Sequence, residues 1–373
     1  MDNTPIENQE PYKTQEMPKT VYIPLPDQPK KGYGAWLMWS FVIAVILLIG
    51  SSLVNLVCVT MVANTKGSSS SSITPPSIPE TYVMGDAISK NKILEISING
   101  AIMNNEDPSN IKKNMVARIR TELNSAEKDP SVKAILLNIS SPGGAVTPTD
   151  IIWNDVVNFK TKTRIPIVVF CGDVVASGAY YIASAGDYII ATETSLVGSI
   201  GIIAQFTNFR ELFDKVGIEM NVITSKTWDG KKSYKDMGSF AREMTSEEKE
   251  LFQKLIQQMW DRFVFVVAEG RKGHLTEQQV KMLADGRIYL AKDALQLKLI
   301  DANGYKDDAC KKAKELAKIT DAKVVTYKHK SNFWQDVFES KYQGKSLLPE
   351  TKEIIDMQTP KFMYLWGGYS IDK

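Results

Sequence analysis

Two short segments of this 373-residue chain carry side chains that could do covalent chemistry. In Val175-Ala176-Ser177-Gly178-Ala179-Tyr180-Tyr181-Ile182-Ala183, a serine stands among small residues where a strand gives way to a helix. Small neighbours let a substrate reach the hydroxyl, and the start of a helix places the positive end of its dipole beside it. An ordinary N-cap serine has the same pattern. In Ser141-Pro142-Gly143-Gly144, paired glycines follow a buried strand. They permit close backbone approach and leave N–H groups free to point at a ligand, as an oxyanion hole requires. A plain tight turn would use the same residues.

A serine nucleophile needs a base. The chain has two histidines, His274 in RKGHLT and His329 in KHK, and both read as solvated surface residues. A serine–lysine pair remains. The lysines available lie in Lys226–Ser239, most of which reads as a solvated loop. A free lysine ionises near about 10.4 and is no base at neutral pH. Lowering that to about 7–8 takes roughly 3–4 kcal/mol of destabilisation of the ammonium, so the base has to be dry.

The elements around these segments alternate. KILEISI (Lys92–Ile98), AILLNI (Ala134–Ile139), PIVVFC (Pro166–Cys171), YIIA (Tyr188–Ala191) and NVIT (Asn221–Thr224) read as strands. Ile111–Lys128, Thr149–Phe159, Gly178–Ser184 and Asn208–Val216 read as helices. Apolar strands alternating with helices predict a parallel sheet covered on both faces. The chain then turns helical. Thr245 with Glu248 forms a capping-box signal for a long helix to about Glu269, and Thr276 with Gln279 forms a second. The expected organisation is a disordered arm at 1–34, an anchor at 35–62, a Ser/Pro-rich spacer at 63–90, an α/β domain at 91–328 and a tail at 329–373.

The run Ala35–Val62 contains no charged residue and exceeds the roughly 20 apolar residues that span a bilayer. It is too long and starts too late for a cleaved signal peptide. Lys30 and Lys31 precede it and Lys66 follows, which predicts a cytoplasmic N-terminus and an outward catalytic domain.

The ordered segments SPGG, VASGAYYIASAGDYIIATETSLVGSIGII, YKDMGS, AREMTSEEK and DGRIY together resemble the signal peptide peptidase A family of membrane-bound serine proteases (family S49), in its short form with one catalytic domain. The resemblance covers about 93–327 and implies an α/β fold similar to the Clp protease and crotonase superfamily, behind one transmembrane helix. It implies Ser177 as nucleophile and Lys235, before Asp236, as general base, with Lys232 as the other candidate. It places Gly143, Gly144 and Gly178 at the oxyanion hole. It implies hydrophobic peptide substrates such as signal-peptide remnants, the lipid membrane as surroundings, and a homo-oligomeric ring in which Lys235 serves the Ser177 of a neighbour. Two features depart from the family pattern: Lys226–Lys232 looks like extra loop, and Phe240 stands where proline is usual.

Several function classes are disfavoured. A formal charge of +2 with no basic stripe gives no support for nucleic-acid binding. Neither metal-ligand spacing nor a phosphate-binding glycine loop occurs, so no cofactor or metal is expected. Three cysteines make no disulfide framework. A crotonase-like enzyme acting on acyl-CoA conflicts with an outward domain, and a silent scaffold conflicts with an intact Ser177 and Lys235. A protease of the same family processing other membrane peptides fits the residues equally well. The tail segment Phe362–Gly368 is expected either to form a terminal strand or pack on its own domain, or to lie near the substrate groove or the membrane as a self-inhibiting tail.

Overall fold

The computed structural model describes residues 39–48, 51–52, 78–103, 114–328 and 361–365. Two compact units are present, Met1–Thr74 and Pro75–Lys373. In the first, a helix covers 39–48 and is exposed along its length. No helix among the described residues is long and apolar enough to cross a membrane. Much of the apolar run 35–62 lies outside the described residues.

The second unit opens with β1 (Glu80–Gly85) and β2 (Lys92–Asn99). Helix α1 (Met115–Lys128), capped by the Asn114 side chain on the Ala117 N–H, leads into β3 (Val132–Ser141) and the short β4 (Gly143–Ala145). Helix α2 (Val146–Thr163) precedes β5 (Ile167–Ala176), α3 (Gly178–Ala183) and β6 (Tyr188–Ala191). Then come β7 (Leu196–Gly198), β8 (Ile203–Gln205) and α4 (Arg210–Val216). A 3₁₀ turn, Tyr234–Asp236, stands before α5 (Ser246–Gly270), which starts with both halves of the Thr245–Glu248 capping box. Helix α6 (Glu277–Leu283), β9 (Ile288–Leu290), α7 (Ala291–Gln296), β10 (Ala302–Asn303), α8 (Lys306–Ala317) and β11 (Lys323–Tyr327) follow. The last described element is β12 (Lys361–Leu365).

The main sheet runs in the order β1-β11-β2-β3-β5-β6-β10, with β7 added beside β5 and β9 beside β7. Pairing is parallel throughout except β1 with β11 and β7 with β9. Successive side chains of a strand point to opposite faces, so a doubly covered sheet needs continuous apolar runs. Strand β3 satisfies this: Ile135, Leu137 and Ile139 enter the core shared with α1, α2, α3 and α5, while Ala134 and Leu136 meet Ala309, Cys310 and Ala313 of α8. The β12 strand joins a separate small sheet, antiparallel to both β4 and β8.

Four of the five expected strands form. NVIT does not: Asn221–Thr224 is irregular, and Ile223 is 97% exposed. Its β-branched residues meet no sheet edge, and β propensity has little effect without a partner strand. The sheet also begins earlier than expected. Glu80–Gly85 falls in the stretch read as spacer, yet it pairs with β11.

The helical half is tied to the sheet by a buried ion pair. The Arg271 guanidinium, just after α5, donates to both carboxylate oxygens of Asp301 at 2.7 and 2.9 Å and to the Lys298 carbonyl at 3.0 Å. Asp301 also accepts from the Ile189 N–H of β6 at 2.7 Å. Removing one member leaves the other charge buried and alone. Arg271→Ala is expected to cost about 3–5 kcal/mol in guanidinium unfolding, and Arg271→Met with Asp301→Leu distinctly less.

Candidate active site

Strand β5 outruns the apolar segment from which it was read, because β7 lends its second half a partner. Val174, Val175 and Ala176 pair with Leu196, Val197 and Gly198. The strand therefore carries the chain straight to Ser177. There the backbone takes φ 54° and ψ −119°, a left-handed conformation that serine rarely adopts. Such a residue costs on the order of 1–3 kcal/mol and persists only where its surroundings hold it. Here the Ser177 N–H donates to the Gly198 carbonyl at 2.7 Å, and its carbonyl accepts from the Tyr181 N–H at 3.0 Å. Tyr180 and Tyr181 are wholly buried. The Tyr180 hydroxyl donates to the Leu299 carbonyl at 2.7 Å, and Tyr181 bonds Asp150. The Ser177 side chain makes no capping bond to α3. Its hydroxyl is thus held at a sharp strand-to-helix turn without a backbone task, the geometry of a nucleophile elbow.

The glycines of SPGG form β4. Ile102 bridges β4 in parallel: its N–H donates to the Gly143 carbonyl and its carbonyl accepts from the Ala145 N–H, both at 2.8 Å. In that ladder the N–H and C=O of Gly144 face the opposite edge. A Cβ on Gly144 would stand 2.0 Å from the Ile102 carbonyl oxygen, so only glycine allows the approach. The Gly143 N–H donates to the Ser141 hydroxyl at 3.1 Å, so that donor is already engaged. Gly178 is the first residue of α3, where helical N–H groups have no partner within the helix.

The free edge of β4 is occupied by this chain's own tail. Tyr364 is registered against Gly144 and Leu365 against Gly143, while Met363 also pairs with Ile203 of β8. Strand β12 lies against α3 as well. An extended segment therefore runs between two strand edges beside the serine. The tail thus forms a terminal strand, one of the two readings of its sequence, but periodicity did not name its partners: the pairing with β4 joins residues more than 200 positions apart.

The lysines lie elsewhere. Lys226 and Lys232 bridge across a hairpin whose Trp228 is fully exposed, so the extra loop is a small ordered device. Lys232 donates to Asp236 at 2.9 Å. Lys235 sits in the 3₁₀ turn and is exposed. Among the described residues no hydrogen bond joins Lys235 to Ser177. Phe240 packs edge-on against Phe213 at 5.8 Å and Phe209 at 6.4 Å, an aromatic cluster that fixes the end of this arm. His274 is half exposed, 3.8 Å from Asp301. His329 lies outside the described residues. Burial pushes the thiols of Cys171 up to about 12 and Cys310 up to about 11, which makes both inert packing groups rather than nucleophiles.

A residue outside the expected set organises the arm. The Arg242 guanidinium reaches Asp236 and Glu248 together. Its place in AREMTSEEK, six residues from each acid, was the available signal.

The sheet and the elbow define an α/β hydrolytic fold of the Clp protease kind. The sequence profile of Clp protease matches residues 85–197, and that of Peptidase family S49 matches 159–320. A protein of Enterococcus faecium named for signal peptide peptidase SppA is 33% identical over 295 residues, which cover 76% of this chain and 83% of that protein. A Methanocaldococcus jannaschii protein named as a protease is 42% identical over 205 residues, 55% of this chain and 63% of its own. Protease 4 of Haemophilus influenzae is 33% identical over 227 residues, 61% of this chain but 35% of that longer protein. The chain belongs to peptidase family S49, a family of proteases.

Gly144→Ala is expected to force β4 off the Ile102 bridge. The measurement is amide hydrogen exchange: Ile102 and Ala145, both protected by 2.8 Å bonds, should exchange faster while the amides of β3 stay protected.

Proposed function

We propose that this protein is a membrane-anchored serine endopeptidase with a Ser–Lys dyad, cleaving hydrophobic peptides such as signal-peptide remnants. The observation that carries this reading is β12, an extended segment hydrogen-bonded antiparallel to β4 and β8 beside the Ser177 helix. A peptide substrate would add a strand at the same edges, recognised first through its main chain. Ser177 attacks the carbonyl while neutral Lys235 takes its proton. The tetrahedral oxyanion is held by backbone N–H groups at Gly144 and Gly178, with Gly143 shaping the turn. The same lysine then activates the water that releases the acyl-enzyme.

The base has to be dry, yet within one chain Lys235 is exposed. The arm around it also exposes Leu212, Val216, Met220 and Val222, and α4 buries none of its residues. Both facts support a homo-oligomeric ring in which a neighbour covers the arm and Lys235 completes that neighbour's site. The uncharged run 35–62 supports a single-pass anchor with the N-terminus in the cytoplasm and the catalytic unit outside. The name of the Enterococcus relative supports signal-peptide remnants as substrates. Processing of other membrane peptides fits the same site.

Ser177→Ala and Lys235→Ala are each expected to abolish hydrolysis of a fluorogenic hydrophobic peptide. Lys235→Arg should fail as well, because a guanidinium does not deprotonate. Coassembling the two alanine variants should restore about a quarter of wild-type turnover if neighbours share the dyad, since a random ring pairs an intact serine with an intact lysine about one time in four. No recovery from a mixed ring would place both groups on one protomer.

Deleting the residues after Pro360 is expected to lower KM for added peptide and leave kcat unchanged, because the tail competes as a tethered strand. Unchanged KM would remove the tail from the groove.

A further inference from the structure

The turn that carries Lys235 has little core of its own. Tyr234 and Lys235 are exposed, and the turn's one inward group is Asp236, whose side chain is 8% exposed. Arg242 grips that group from the other side of the loop. Its Nε donates to Asp236 Oδ2 at 2.9 Å, and its Nη2 donates to the Asp236 backbone carbonyl at 3.0 Å. The rest of the guanidinium fork goes to Glu248, at 2.8 Å through Nη1 and by a second bond through Nη2, while Nη1 also donates to the Glu243 carbonyl at 2.9 Å. Glu248 is also the capping residue of α5, accepting from the Thr245 N–H at 2.9 Å. One side chain thus fastens the lysine turn to the start of the longest helix.

The charge balance is as specific as the geometry. Asp236 has two cationic neighbours, both on Oδ2; its Oδ1 is buried and has no hydrogen-bond partner among the described residues. Lys232 is 62% exposed and contributes little in solvent. Neutralisation of Asp236 therefore rests on Arg242. Guanidinium is the suitable group, because it meets two carboxylates and two carbonyls with one rigid fork.

We propose that Arg242 is the positioning residue of the Lys235 base: it holds the turn against α5 and offsets the charge of Asp236, the residue that follows the lysine. The proposal rests on the reading of Lys235 as base. Several further charged groups of this region have partners of their own. Tyr234 bonds Glu247 of α5, Asp229 pairs with Lys231 in the hairpin at 3.0 Å, and Arg210 of α4 stands 4.0 Å from Asp214. The Arg242 and Lys232 cations hold the Asp236 carboxyl down at about 2, so it is ionised at every pH where a lysine base could work.

The test is the pH–rate profile of peptide hydrolysis by the full chain. Its acid limb reports deprotonation of the base. Without Arg242, Lys232 alone faces the carboxylates of Asp236 and Glu248, and the added net negative charge favours a protonated base. Arg242→Gln should therefore lower kcat and move the acid limb up by about one pH unit. Asp236→Asn leaves Arg242 paired with Glu248 and Lys232 without its carboxylate, and the added net positive charge should move the limb down by a similar amount. Arg242→Lys keeps the charge but loses the fork, so kcat should fall with the limb nearly in place. A purely structural Arg242 would lower activity in all three without opposite shifts. Unmoved limbs in Asp236→Asn and Arg242→Gln, with Lys235→Ala inactive, would overturn the role of Arg242 alone. Turnover retained by Lys235→Ala would overturn the base assignment and this inference with it. Should Arg242→Gln not assemble, the near-isosteric Asp236→Asn still decides by the direction of its shift.

Discussion

The structure is organised around one residue held in a conformation it would not choose. Ser177 stands at φ 54°, and nothing in its own chemistry stabilises that. The cost is met by neighbours on both sides. Gly198 of β7 takes its N–H, and the first turn of α3 takes its carbonyl. Each of those in turn needs support: β7 leans on β9, and α3 is buried through Tyr180 and Tyr181. The fully buried middle of the sheet makes this possible. A strand pinned on both edges and both faces cannot relax when its last residue is forced into a left-handed turn.

The serine and the lysine stand in opposite mechanical settings, and this has consequences. Ser177 belongs to the most deeply packed part of the chain. Lys235 belongs to an arm of about 40 residues whose helix buries nothing and whose aromatic groups cluster mainly with one another. A nucleophile gains from rigidity, since its attack angle is set by backbone. A lysine base gains from dryness, which an exposed arm lacks until something covers it. Under the proposed dyad, dividing the two roles between a rigid core and a coverable arm would make chemistry conditional on assembly.

Much of this was legible in the sequence because the relevant signals are local. Strands β2, β3, β5 and β6 sit in continuous apolar runs, and the box Thr245-x-x-Glu248 marks the start of α5 to the residue. The serine turn is legible for the same reason: small residues between an apolar run and a helix leave few other structures. What escaped depends on partners distant in the chain. Glu80–Gly85 has only three apolar residues in a row beside a Ser/Pro-rich stretch, and it becomes a strand because β11 offers an edge about 240 residues later. Asn221–Thr224 has the composition of a strand and finds no edge. Arg242 carries no periodic signal of its own in the sequence, because its two carboxylates reach it through a turn and a cap that periodicity does not describe.

The tail strand shows why main-chain pairing suits such a site. Hydrogen bonds from β4 and β8 engage a backbone and so do not distinguish one sequence from another, provided the guest is extended. Peptides left in a membrane are helical when inserted, because every N–H and C=O must be satisfied internally. Were such peptides the substrates, they would have to unwind, and the β4 and β8 edges that β12 occupies would supply replacement partners for the backbone groups thus released. The same edges would reject a folded protein, whose strands are already paired. A preference for loose, extended chains of any sequence would then follow from backbone hydrogen bonding before any side-chain pocket is considered, and a tail of the chain's own that can extend competes for that edge.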